Sequence, residues 1–313
     1  MSWSTKLKNR QQIQARIDSG SDIAVLFSDI RGFTSYTARE GDDAAYKLSQ
    51  VHTSLLDERI GELSGIIVKT MGDGIMTAFT DPQVAIEAAV GIQRATRARN
   101  SRHPTDPIDV GIGIATGTPV MTDADLIGHS VNLSQRISSL AKGGQILVSE
   151  RIRETTDLSD TLHYLSLGKC ELRGLEKEHV YEVAWMSESS RVSDAENKVT
   201  LVLTSRGTIV VELAKELQEV IDRTIENLEQ GENPNTFSSL IQRSIARFTR
   251  KMIDSSLGAF GIAREQPLAK VDVSLDRDTL SVKIGRKTLP LRGVNPSEAA
   301  AFMNKLKAAK ERS

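Results

Sequence analysis

Phe27-Ser28-Asp29-Ile30-Arg31-Gly32-Phe33-Thr34 decides how the first half of the chain is read. It follows directly from the apolar run Ile23-Ala24-Val25-Leu26-Phe27. A short continuous apolar run of this kind reads as a buried strand. An aspartate leaving such a strand, followed by a glycine turn, can hold a hard cation, and the backbone amides of the turn can then face phosphate oxygens. Taken alone, an aspartate capping a helix explains the octapeptide equally well.

Two further stretches extend that reading. Gly65-Ile66-Ile67-Val68-Lys69 and Ile75-Met76-Thr77-Ala78-Phe79 flank Met71-Gly72-Asp73-Gly74, a β-hairpin pattern in which Asp-Gly tolerates the positive φ of a tight turn. Asp73 at the tip can join Asp29, since two carboxylates from neighbouring strands are the minimum for a two-metal site about 3.5–4 Å across. In isolation an ordinary Asp-Gly turn is the simpler account. In the run from Asp125 to Arg136, Asn132 and Arg136 fall four apart and share one helix face. That face can meet a ribose and a phosphate, with Arg136 neutralising charge that develops in phosphoryl transfer. A surface Asn and Arg is the bland alternative.

Around these stretches, helices are expected over Asp42–Arg59, Pro82–Arg97 (opened by Asp81-Pro82) and Ile127–Leu140, with strands over Ile108–Ala115 and Gln145–Val148. Residues 1–20 read as a polar lead-in, 21–186 as an α+β domain, 187–197 as a polar linker and 198–313 as a smaller α/β domain. In the last, helices are expected over Glu212–Glu229 and Thr236–Ile253. A hairpin is expected around Asp276-Arg277-Asp278-Thr279, and a final helix opened by the capping box Asn295-Pro296-Ser297-Glu298.

Composition narrows the class. The chain has 313 residues, with 40 basic against 41 acidic, a net charge of −1. Two domains are expected at this length. The balance argues against a whole-chain nucleic-acid binder or a polybasic membrane anchor. Aromatics are only 4 %, which leaves few platforms for base stacking. A single cysteine, Cys170, excludes an intrachain disulfide. No apolar run reaches the roughly 18–20 residues of a transmembrane helix. A cytoplasmic protein without membrane or nucleic-acid partners is the expectation.

In this order the motifs resemble the catalytic domain of the class III nucleotide cyclases, the adenylate and guanylate cyclase family. The likeness runs from about Asp22 to Val183. It includes Gly113-Ile114-Ala115-Thr116-Gly117, the Gly-Gly-Gln-Ile-Leu-Val-Ser run from Gly143, and Leu172-Arg173-Gly174-Leu175 leading to Val180-Tyr181-Glu182-Val183. The resemblance implies a ferredoxin-like α+β domain working as a head-to-tail homodimer with shared active sites. It implies two divalent ions, Mn²⁺ or Mg²⁺, on Asp29, Asp73 and the Ile30 carbonyl. The segment Ile30 to Thr34, Phe33 included, would cradle the triphosphate of a nucleoside triphosphate substrate. Asn132 would orient the ribose, Arg136 would stabilise the transition state, and Lys69 and Asp125 would read the base. Lys69, Asp125, Asn132 and Arg136 would complete the partner's site.

The base readers also have a physical logic. A lysine donates and a carboxylate accepts, which suits adenine (N1 beside the N6 amine) and cytosine (N3 beside N4), whereas guanine and uracil reverse the order. Other features depart from the family. Only seven residues, TPVMTDA, separate Gly117 from Asp125, where the family carries a longer arm. Thr118 stands where some members have a phosphate-binding arginine, and Arg173 and Lys177 are candidates for a phosphate-binding lysine position. A short arm with an appended C-terminal module resembles the layout of the bacterial Pycsar cyclases, which make cyclic UMP or cyclic CMP for a separate effector in antiviral defence. The layout leans the expectation to a pyrimidine cyclase making cyclic UMP or cyclic CMP, with an adenylate cyclase as the alternative and a catalytically silent dimerising sensor behind both. A regulatory or sensing role is expected for 198–313. His52 reads as packing or surface, His129 as a candidate phosphate contact, and Arg94, Arg97, Arg99 and Arg102 as a solvated helix end.

Overall fold

A computed structural model describes residues 3–158, 162–185, 190–204, 208–214, 265–284 and 287–311. The chain forms two compact units, Met1–Tyr164 with Lys169–Trp185, and Leu165–Gly168 with Met186–Ser313. The first contains, in order, α1 (Trp3–Asp18), β1 (Ile23–Ile30), α2 (Phe33–Glu40), α3 (Asp42–Glu62), β2 (Ile66–Met71), β3 (Gly74–Phe79), α4 (Pro82–Arg102) and β4 (Val110–Gly117). It continues with β5 (Val120–Met121), β6 (Leu126–Ile127), α5 (His129–Leu140), β7 (Ile146–Ser149), α6 (Glu150–Thr155), β8 (His163–Cys170) and β9 (Glu178–Ala184).

Among the described residues a seven-stranded sheet has the order β2-β3-β1-β4-β7-β9-β8. β1 lies antiparallel between β3 and β4, and β4 runs parallel to β7. The apolar run of β1 is buried on both faces, which explains why its sequence is continuous rather than alternating. On one face Ile23, Val25 and Phe27 join Met76 and Ala78 under Ile13 of α1 and Val131 of α5. On the other, Ser28 meets α3 through His52, and Phe79 lies against Gly65 and Ile60. This is the expected α+β domain, with helices packed on a mostly antiparallel sheet.

α5 lies unusually close to β4. A Cβ on Gly113 would stand 2.6 Å from both the Ser134 carbonyl oxygen and the Ser138 Cα. Ser134 fastens the same contact by donating its hydroxyl to the Val25 carbonyl at 2.8 Å. Several element ends differ from expectation. α3 runs through Gly61, because one glycine costs a helix only about 1 kcal/mol. α4 reaches Arg102, and Ile127 belongs to β6 rather than to α5.

The second unit holds β10 (Ser190–Ser193), β11 (Val199–Leu203), β12 (Thr208–Leu213) and β13 (Glu265–Pro267) in one antiparallel sheet. β14 (Val271–Asp276), β15 (Thr279–Ile284) and β16 (Lys287–Arg292) form another, followed by a helix, α7 (Pro296–Lys310). Leu201, Val211, Val282, Leu291, Phe302 and Leu306 share its core. The expected hairpin is present, with Asp276 opposite Thr279 and Arg277 at φ 53°. Asn295 caps α7 by accepting from the Ser297 and Glu298 amides at 2.9 and 3.3 Å.

Two expectations need correction here. The polar stretch 187–197 contains a strand, β10, whose alternation is masked because a serine takes an inward place: Ser190 and Val192 are buried while Arg191 is exposed. Glu212, expected to open a helix, lies in β12. Leu213 lies in β12 as well, and residues 215–229 of that expected helix, with the whole of Thr236–Ile253, fall outside the described residues. No helix among the described residues is long and apolar enough to cross a membrane.

Candidate active site

Asp29 is the penultimate residue of β1, and Asp73 sits in the turn between β2 and β3, where Gly72 takes φ 66°. The sheet order makes β3 the neighbour of β1, so the strand end and the turn converge. The two carboxyls lie close enough to act on each other's ionisation. Burial first, then the negative charge of Asp29 and the hydrogen bond between the two carboxyls, pushes Asp73 up to about 6. Arg31 opposes this weakly. Its guanidinium stands 3.5 Å from Asp29 but donates to the Ser138 carbonyl of α5 at 2.9 Å. Gly111 makes room for it, since a Cβ there would come within 2.5 Å of the Arg31 Nη2.

This donor set fits a divalent cation. It is hard, all-oxygen and under like-charge repulsion that a cation relieves, and Asp29 is 39 % exposed. Among the described residues no group of three or more His, Cys, Asp or Glu is arranged for a metal. The remaining donors would therefore be backbone oxygen, water or phosphate. Ile30 ends β1 beside Asp29, and its side chain is buried. Phe33 and Thr34 open α2, a helix the sequence reading did not foresee. Gly32 precedes it at φ 74° with no side-chain cap, so the first amides of α2 are free of side-chain acceptors.

Lys69 and Asp125 form a second cluster. Lys69 lies on β2 beside an irregularity in the β2–β3 register, and its Nζ is 2.5 Å from Asp125 Oδ2. Asp125 closes the β5–β6 hairpin: the Thr122 amide donates to the Asp125 carbonyl at 2.8 Å. The Asp125 amide donates in turn to the Thr122 hydroxyl at 3.0 Å. From outside the hairpin, Arg10 of α1 donates to the Thr122 and Asp123 carbonyls at 2.5 and 2.8 Å. The arm is therefore short but built, with Val120 and Ile127 paired across it and 65 % and 59 % exposed.

Asn132 and Arg136 form the third cluster, on the outer side of α5, whose inner residues Val131, Leu133, Ser134 and Ile137 are buried. Among the described residues neither side chain takes a partner. The structure thus gathers the nine candidate residues into three groups.

One residue near the carboxylates was missed by sequence reasoning. His52 is neither packing alone nor surface: it is fully buried, with Nε2 2.8 Å from Ser28 Oγ and Nδ1 3.1 Å from the Asp73 carbonyl oxygen. Burial lowers its pKa to about 4, so the ring is neutral. The available signal was a polar residue inside the apolar stripe Leu48, His52, Leu56. Arg99 also departs from expectation. It turns inward to hold both the carboxylate and the carbonyl of Asp106. Thr118 donates to Asp22 at 3.1 Å, and His129 is exposed at the start of α5.

Residues 16–185 match the adenylate and guanylate cyclase catalytic domain. The chain belongs to this family. Among curated relatives of the cyclase domain, "Putative adenylate cyclase 3" of Rhizobium meliloti (strain 1021) is 28 % identical over 155 residues, covering 49 % of this chain and 26 % of that protein. "Adenylate cyclase" of Anabaena cylindrica is 31 % identical over 161 residues, covering 45 % and 32 %. The chain thus spans about a quarter to a third of the length of these relatives. Among solved structures, the guanylyl cyclase Cya2 is 28 % identical with a TM-score of 0.46, covering 52 % of this chain and 91 % of that one. The adenylyl cyclase CyaB from P. aeruginosa is 23 % identical with a TM-score of 0.47, covering 52 % and 93 %.

Proposed function

We propose that this cyclase-family chain converts ATP to 3′,5′-cyclic AMP and pyrophosphate at sites shared between two copies of itself. The convergence of Asp29 and Asp73 beside the free amides of α2 carries the reading. Divalent ions on Asp29, Asp73 and the Ile30 carbonyl, Mn²⁺ or Mg²⁺, would neutralise the triphosphate and make the ribose 3′-oxygen a better nucleophile. The segment Ile30 to Thr34 cradles the triphosphate through the first amides of α2, the Arg31 amide being taken by the Asp109 carbonyl. Asn132 orients the ribose, and Arg136 meets the negative charge that builds on the α-phosphate. The 3′-oxygen forms its bond to the α-phosphorus as the bond to the bridging oxygen of pyrophosphate breaks, and the hydroxyl proton leaves to water.

Lys69 and Asp125 select the base. Nζ donates to adenine N1 and the carboxylate accepts from N6. Among the described residues no hydrogen bond or ion pair links these two, or Asn132 and Arg136, to the carboxylate pair, and in this reading a second copy supplies them across a homodimer interface. The exposed apolar pair Val120 and Ile127 on the arm supports such an interface. The domain layout follows: residues 21–186 catalyse, and 198–313 regulate or sense.

The same donor–acceptor pair fits cytosine, so CTP is the second reading, and with it a pyrimidine messenger read by a separate effector. The deciding experiment incubates the full-length protein with Mn²⁺ and ATP, GTP, CTP or UTP singly, with products identified by mass spectrometry. Cyclic AMP is expected, and cyclic CMP alone would favour the second reading. Cyclic GMP or cyclic UMP alone would overturn the base assignment. No cyclic product, or an Asp73→Ala protein with unchanged turnover, would overturn the catalytic reading.

A further inference from the structure

We infer that His52 is a positioning residue that sets the separation of Asp29 and Asp73. The inference rests on the reading of that pair as the metal ligands. The β1–β3 ladder ends at Ser28 opposite Ile75, so although β4 pairs with Asp29 on its other edge and β2 pairs with β3 up to Met71 and Gly74, no β1–β3 pairing ties Asp29 to the turn that carries Asp73. The imidazole of His52 spans this gap. It reaches the turn through the Asp73 carbonyl oxygen at 3.1 Å, and the strand through the hydroxyl of Ser28, the residue before Asp29, at 2.8 Å.

The chemistry of the two partners fixes the tautomer. A carbonyl oxygen only accepts, so Nδ1 carries the proton, and Nε2 is left to accept from the Ser28 hydroxyl. Both His52 and Ser28 are fully buried. An apolar side chain of similar volume would fill this space without demanding partners. The ring instead has one nitrogen on each segment that bears a carboxylate. That arrangement suits a pair of like charges that must stay close before a cation arrives and must not spread when it leaves. α3, which carries His52, is anchored in the core by Leu48, Leu56 and Ile60, so the tether is fixed at its base. Hydrogen bonds one step behind metal ligands commonly govern affinity by about 10–100-fold.

The test is calorimetric titration of the full-length protein with Mn²⁺, beside the thermal midpoint of the same protein in EDTA. His52→Asn keeps an amide donor near the Nδ1 place, His52→Gln keeps a polar end near Nε2 instead, and His52→Phe keeps only the volume. His52→Gln and His52→Phe are expected to weaken Mn²⁺ binding about tenfold or more while His52→Asn stays within a few-fold of wild type. A folded His52→Phe protein with wild-type Mn²⁺ affinity overturns the inference. If His52→Phe does not fold, equal affinities for the Asn and Gln variants overturn it. Asp73→Asn separates the two levels of the argument. If it leaves Mn²⁺ binding unchanged, the metal assignment itself falls. If it abolishes binding while every His52 variant binds normally, only the role of His52 falls.

Discussion

Lys69 Nζ lies 2.5 Å from Asp125 Oδ2 across a sequence separation of 56 residues, joining the second strand of the sheet to the short arm. The Lys69 ammonium holds the Asp125 carboxyl below its ordinary range. Both side chains are about a third exposed, so the pair contributes roughly 0–1 kcal/mol to stability. Lys69→Ala is therefore expected to leave the thermal midpoint within a few degrees of wild type. Its effect falls on base choice, because a buried acceptor on the base loses its donor. The kcat/KM for ATP should drop by about two orders of magnitude, read by steady-state kinetics.

His52 makes stability depend on pH with a definite sign. Its folded pKa of about 4 lies below its ordinary value of 6.5. Between those values the unfolded chain binds the proton and the fold does not, so stability present above pH 6.5 is lost as pH falls toward 4. The loss attributable to this one group is about 3 kcal/mol. Urea denaturation in EDTA at a series of pH values should give a shallower acid decline for His52→Phe than for wild type.

Gly113→Ala should damage both stability and turnover. The added methyl meets the backbone of Ser134 and Ser138, which cannot swing aside as a flexible side chain would. Overpacking of this kind costs about 1–3 kcal/mol. The helix that must retreat carries Asn132 and Arg136, so kcat should fall more than KM changes, measured in a protein still folded by circular dichroism.

Arg10→Ala tests the link between α1 and the arm. Two exposed hydrogen bonds to carbonyls are worth about 1 kcal/mol in total, so the fold should tolerate their loss. The turn that leads to Asp125 would no longer be held from outside. A several-fold rise in KM for ATP with kcat nearly unchanged is the expected result, and unchanged KM would count against this role.

Much of the candidate site was legible because its signals are local. An apolar run that ends in an aspartate, and an Asp-Gly turn between two apolar strands, state their conformation within a few residues, and the sheet then brings Asp29 and Asp73 together. The eight-residue helix α2 was missed because no residue of it is buried, so it carries no apolar stripe to be read. His52 and Arg99 were misread for another reason. Their partners lie on other segments, and a polar side chain in a helix does not announce whether water or a distant carbonyl satisfies it. In the second unit, β10 hid because its inward position is a serine, which alternation based on apolar residues cannot register.

The glycine contact between α5 and β4 has one more consequence. With not even a methyl group between them, the helix has no room to slide or roll on the strand. Helix and sheet move as a single body. Under the proposed shared site, Arg136 would then reach a triphosphate less by adjustment of its own helix than by one copy turning against the other, and the speed of the reaction would become a property of how two molecules meet.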